Sequence, residues 1–129
     1  MKKSLLVAAA LLASAVAAQA QTTDTLKKIK DTGSVVMGVR GSSGALSYTL
    51  GEGKYVGFHV EICQRAIADI QKQLGLSKPI DIKYQEVTSA NRIPLVQNGT
   101  VDIECGSTTN NDARAKDCLL YTSPSPRDS

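Results

Sequence analysis

Ser34-Val35-Val36-Met37-Gly38-Val39 is an uninterrupted apolar stretch rich in β-branched residues. A strand with no polar side must be covered on both faces, which is the position of an interior strand in a parallel sheet. Parallel neighbours cannot be joined by a tight turn, so crossover helices have to follow. The downstream sequence supplies them. Phe58, Ile62, Ala66, Ile70 and Leu74 recur every four residues, and Val60, Cys63 and Ile67 widen the stripe. The pattern predicts an amphipathic helix packing that broad face on a sheet and stopped by Gly75. Ile80 to Val87 alternates and predicts a second strand. Ser89 to Gln97 predicts a shorter helix, with Pro94 in or near its first turn and Asn98-Gly99 ending it. Asn98-Gly99-Thr100 also has the form of a glycosylation sequon, but it reads as a helix stop. Val101 to Cys105 predicts a third strand.

Ahead of the first strand, residues 24–32 predict a short helix capped by Thr23 or Asp24 and ended by Gly33. Between strand and long helix, Leu46 to Leu50 and Lys54 to Gly57 flank Gly51-Glu52-Gly53 as a small hairpin-like excursion. The fold class is therefore α/β, a parallel sheet with flanking helices in β-α-β-α-β order.

Both ends of the 129-residue chain stand apart from this pattern. Residues 1–20 begin with Lys2-Lys3, run through an apolar stretch and close on Ala18-Gln19-Ala20, the layout of a secretory signal cleaved after Ala20. The apolar run is shorter than the ~20 residues a bilayer span needs. Gln21, not Cys, follows the cleavage point, so no lipid anchor is indicated there. Residues 118–129, CLLYTSPSPRDS, break the alternating order and correspond to a sequencing-library adapter translated in one frame. They are read as a non-native tail, with the natural protein continuing beyond Asp117. Residues 21–117 are what remains for folding. Without Lys2, Lys3, Arg127 and Asp128, 12 basic residues face 11 acidic ones. So even a balance removes the electrostatic case for nucleic acid or an anionic membrane as partner.

Ligands of such sheets bind beyond the carboxyl ends of the strands, where strand order reverses. With order 2-1-3, three segments converge there: Arg40 with Ser42 and Ser43, Thr88-Ser89-Ala90-Asn91-Arg92, and Ser107 to Arg114. Each carries an Arg among small hydroxyl or amide residues. A guanidinium presents paired donors that match a carboxylate, and a helix N-terminus adds free N–H groups. Three Arg at one rim suit a small ligand with more than one carboxylate. Taken singly, a polar strand-end Arg is usually only a surface residue.

Several blocks resemble the first lobe of the bacterial periplasmic amino-acid-binding proteins, solute-binding family 3, and among them the members that serve acidic amino acids. They are Gly33 to Arg40, Gly57-Phe58-His59-Val60-Glu61-Ile62, Thr88 to Thr100 and Glu104 to Asn111, and the resemblance extends from Leu26 to Lys116. It implies the type II periplasmic-binding-protein fold, truncated to part of lobe 1. It implies that Arg114, with Ser107 and Thr109, takes the ligand α-carboxylate. Arg40, Arg92 and Ser89 would take the side-chain carboxylate. Glutamate or aspartate is the implied ligand and the membrane subunits of an ABC permease the implied partner, with the protein a periplasmic monomer free of cofactor. Lobe 2 and the returning segment of lobe 1 are absent from the chain, so weak or no glutamate binding is expected of residues 21–117 alone.

The remaining polar residues fit a binding module. His59 reads as a structural residue, since no metal-ligand spacing surrounds it. Glu61, Asp69, Lys72 and Lys83 read as solvated. Glu104 stands near enough to the crevice to orient an Arg. Cys63 and Cys105 read as two buried free thiols, although export permits a disulfide. The rival functions are an exported enzyme on the same fold, dehydratase-like or lytic toward the cell wall, and a sensory receptor ectodomain. An enzyme needs a placed general acid or base, and the crevice segments hold no His and only Glu104 as carboxylate, so no enzyme is expected.

Overall fold

The computed structural model describes residues 24–117. The expected export signal and the expected adapter-derived tail lie outside the described residues. Asp24 caps the first helix, α1 (Thr25–Thr32), its carboxylate accepting from the Lys27 N–H at 3.0 Å. Gly33 ends it with φ of 67°, a left-handed conformation that a side chain would strain. β1 (Ser34–Val39) follows with the bounds the apolar run predicts.

A 3-10 turn at Gly44–Leu46 leads to an antiparallel hairpin of β2 (Tyr48–Gly51) and β3 (Lys54–Val56). The long helix α2 (Phe58–Gln73), β4 (Asp81–Glu86), α3 (Arg92–Gln97), β5 (Ile103–Glu104) and α4 (Asp112–Ala115) complete the order. Tyr55 ties the hairpin to β4 by donating to Glu86 Oε2 at 2.9 Å and packing on Tyr84 at 5.8 Å between ring centroids. The bond to Glu86, with some desolvation, pushes the Tyr55 phenol above its ordinary pKa.

β1 lies in the middle of a three-stranded sheet of order β4-β1-β5, parallel on both sides. This is the expected order, with β4 and β5 as the second and third strands of the sequence reading. The last strand is shorter than Val101 to Cys105, but ladder-type bonds from Asp102 N–H to Val36 O and from Cys105 N–H to Gly38 O flank it on both sides. The second helix starts at Arg92, not at Ser89. Thr88 and Asn91 bond reciprocally, the Thr88 N–H to Asn91 Oδ1 at 2.7 Å and the Asn91 N–H to Thr88 Oγ1 at 3.2 Å, and this turn delays the helix.

Val35, Met37 and Val39 share one face of β1 and pack in a single cluster with Ile29, Val60, Ile67 and Ile80. The packed face of α2 is therefore Val60, Cys63, Ile67, Ile70 and Leu74. Phe58 is 61% exposed and Ile62 46%, and Ala66 is exposed as well, against the expectation that the every-fourth-residue stripe faces the sheet. A strict four-residue repeat drifts by about 40° per step on a helix of 3.6 residues per turn, so its early members rotate away. Spacings of three and four keep the other set aligned. On the opposite face of β1, Gly38 admits Val101 so closely that a Cβ there would stand 2.9 Å from Val101 Cγ1.

Two ties hold the layers. Asp102, with its side chain 3% exposed, accepts from Lys28 Nζ at 2.8 and 3.1 Å and from the Val36 N–H at 2.8 Å. It joins α1, the centre of β1 and the approach to β5. The second tie corrects the free-thiol expectation: Cys63 and Cys105 form a disulfide. Cys63 is on the inward face of α2, and Cys105 follows β5 directly, with 6.3 Å between Cα atoms across 42 residues of sequence. The crossover helix brings together what sequence distance conceals.

Replacing Asp102 by Ala strands the part-buried Val36 N–H and removes the Lys28 partner. Urea unfolding is expected to show a loss of about 2–3 kcal/mol. For the disulfide, unreduced alkylated protein is expected to show Cys63 and Cys105 protected in peptide mass spectra. Cys63→Ser is expected to cost about 3–4 kcal/mol by the chain-entropy relation for a loop of this length.

Candidate ligand-binding crevice

All three strands of the parallel sheet end on one rim, and the loops that leave them carry the residues singled out from sequence. Arg40 follows β1. Its backbone is bracketed by Ser47, which is fully buried: the Arg40 N–H donates to Ser47 Oγ at 2.9 Å, and that hydroxyl donates to Arg40 O at 3.1 Å. The guanidinium reaches across the rim, with Nε donating to Ser43 Oγ at 3.1 Å and Nη1 to Val87 O at 3.3 Å. Ser43 Oγ in turn lies 3.0 Å from Ser107 Oγ. Arg40, Ser43 and Ser107 thus form one polar chain from the end of β1 to the loop after β5.

Arg92 enters from α3 and is 6% exposed. Its Nη1 lies 4.0 Å from Glu104 Oε1, and neither its Nε nor its Nη1 has a hydrogen-bond partner. Glu104 Oε2 accepts from Thr108 Oγ1 at 2.8 Å. At Gly106 a Cβ would run into Glu104 Oε1 and stand 2.6 Å from Arg40 Cγ. Arg40 and Glu104 therefore meet at one glycine, next in sequence to Ser107, and Glu104 links that point to Arg92.

Thr109 and Arg114 belong to the outer part of the same loop. Arg114 Nη1 donates to Thr109 O at 3.0 Å, and the Arg114 N–H to Asn111 Oδ1 at 2.9 Å, which caps α4. Ser89 is exposed on the turn before α3. Of the six candidate residues, the contacts group Arg40 with Ser107 and, separately, Thr109 with Arg114, while Arg92 meets Glu104 and Ser89 stands apart on its turn. Ser43 joins Arg40 to Ser107, and Glu104 brings Arg92 to the same strand end.

Three contributors were not visible beforehand. Ser47 acts through its hydroxyl on the Arg40 backbone and Val87 through its carbonyl, and no sequence signal marks either. Gly106 has a faint signal, as a glycine directly after a predicted strand. His59 is also drawn to this loop, its Nδ1 bonded to Gly106 O, and it lies beside the Cys63–Cys105 tie. Its role is structural, fastening α2 to the binding loop.

The arrangement can do one thing well. Buried or half-buried guanidinium groups with hydroxyls between them form a cradle for carboxylate oxygens, stronger where water is thin. His59, the one imidazole in the chain, is engaged with a carbonyl.

Residues 35–125 match the family described as bacterial extracellular solute-binding proteins, family 3. The L-glutamate/L-aspartate-binding protein of Pseudomonas aeruginosa is 48% identical over 111 residues, which is 85% of this chain and 36% of that protein. The glutamate/aspartate import solute-binding protein of Escherichia coli is 45% identical over 93 residues, 71% of this chain and 30% of that one. Among solved structures, the solute receptor for L-cysteine of Neisseria gonorrhoeae superposes with a TM-score of 0.58 at 32% identity, covering 71% of this chain and 35% of the receptor. The chain thus spans about a third of the length of the relatives it matches. Its architecture is the parallel α/β lobe of a type II periplasmic binding protein, and the chain belongs to family 3 of the bacterial extracellular solute-binding proteins.

Proposed function

We propose that the described residues are one wall of a periplasmic receptor that captures L-glutamate or L-aspartate and delivers it to the membrane subunits of an ABC importer. One observation carries this reading: Arg40 and Glu104 both crowd Gly106, Glu104 lies 4.0 Å from the buried Arg92, and the Ser43 and Ser107 hydroxyls chain on from Arg40. Two converging guanidinium groups call for an anion, and hydroxyls complete its shell without adding charge. The names of the relatives supply the class of anion. Arg40, Arg92 and Ser89 take the side-chain carboxylate, and Arg114 with Ser107 and Thr109 takes the α-carboxylate. Residues 1–20 act as the export signal.

A single wall leaves much of a small ligand in water, where guanidinium–carboxylate attraction is screened by solvent and salt. Tight capture therefore belongs to a two-lobed protein that closes over its ligand.

Calorimetric titration of the protein extended to the full length of its relatives is expected to show binding of L-glutamate or L-aspartate, with L-glutamine much weaker. Arg92→Ala is expected to weaken acidic ligands about 100-fold, the loss of a charged hydrogen-bonding partner worth up to ~3 kcal/mol. Residues 21–117 alone are expected to bind far more weakly than the extended protein. Equal affinity for glutamate and glutamine would overturn the assignment.

A further inference from the structure

We infer that Glu104 is a positioning residue for Arg92 and, through it, a determinant of preference for acidic over neutral ligands. This rests on the reading of the crevice given above. A carboxylate beneath a site for anions looks misplaced, because it repels the ligand. Its geometry gives it another task. Arg92 is a cation with 7% of its side chain exposed, and a charge so buried requires a counter-charge. Among the described residues, Glu104 is the acid within ion-pair reach of it.

The separation matters. At 4.0 Å from Nη1, Glu104 Oε1 attracts the guanidinium electrostatically without accepting a hydrogen bond from it. Arg92 Nε and Nη1 are buried with no hydrogen-bond partner, donors that still lack an acceptor. A closer carboxylate would occupy those donors, and a more distant one would let the side chain swing. Glu104 is itself anchored, since its other oxygen accepts from Thr108 Oγ1 at 2.8 Å on the loop that carries Ser107 and Thr109. Gly106 makes the spacing possible, because any Cβ there would collide with the Glu104 carboxylate and crowd Arg40.

Two effects of Glu104 oppose each other on ligand binding: direct repulsion of the ligand carboxylate, and placement of Arg92 to receive it. We assign the larger effect to placement. Glu104→Gln then loosens glutamate about tenfold while altering glutamine little, so the preference between them falls about tenfold. Glu104→Asp, which keeps the charge, restores part of the preference. A purely structural role would loosen both ligands alike, and dominant repulsion would make Glu104→Gln bind glutamate more tightly. Either result overturns the inference.

A ligand-free measurement separates this from the functional reading. Phenylglyoxal modification of Arg92, followed by peptide mass spectrometry, is expected to be several-fold faster in Glu104→Gln than in the parent protein. An unchanged rate overturns the positioning role. A parent protein that does not prefer glutamate to glutamine overturns the functional reading instead, and the modification rate then decides the role of Glu104 by itself.

Discussion

Hydrogen bonding of β1 on both sides by parallel neighbours is the constraint from which the rest follows. Parallel strands finish on one rim, so Arg40, the Thr88–Arg92 turn and the loop after Glu104 arrive at the same place although 74 residues of sequence separate Arg40 from Arg114. The apolar run of β1 is what makes a flanked position obligatory, since neither face of Val35 to Val39 can be left to water. Asp102 reinforces the arrangement from below. It satisfies the Val36 N–H and pairs with Lys28, so one carboxylate joins three elements at the centre of the sheet.

Charge is distributed along the last strand in an ordered way. Asp102 and Glu104 are two residues apart and share a face by alternation, yet they serve different cations. Asp102 meets Lys28 in a short, hydrogen-bonded pair that fastens the scaffold. Glu104 meets Arg92 at longer range, next to the crevice. The near pair has its donors committed, while the far pair leaves guanidinium N–H groups uncommitted. That difference of about one ångström divides a structural ion pair from one that serves a site. The Cys63–Cys105 bond and the His59 contact then fix the loop between them to α2, so the binding loop has little freedom to drift from the strand end.

Much of this was legible in the residues. The bounds of β1 follow from its composition, the ends of α1 from Asp24 and Gly33, and the parallel order from alternating helices and strands. The candidate segments follow from that order, because strand ends define the rim, while the choice of residues within them came from the family resemblance. What stayed hidden depends on distances through space. The face of α2 was misjudged because two overlapping periodicities, every fourth residue and alternating three and four, run through the same helix, and only contact with the sheet selects one. The disulfide joins residues on different elements that no local pattern connects. The start of α3 was displaced by a side-chain exchange between Thr88 and Asn91, which competes with helical bonding. Ser47 supports Arg40 from seven residues away by bonding its backbone, a role that any small polar loop residue could be imagined to have.

Gly106 has a consequence for how such a crevice can change over generations. Two charged side chains of opposite sign approach the same backbone position, and only a hydrogen atom separates them from it. Every amino-acid replacement of a glycine adds at least one carbon. Both Arg40 and Glu104 would have to give way before that position were free to vary, so the charges at this strand end and mutational freedom are locked to each other at a single codon.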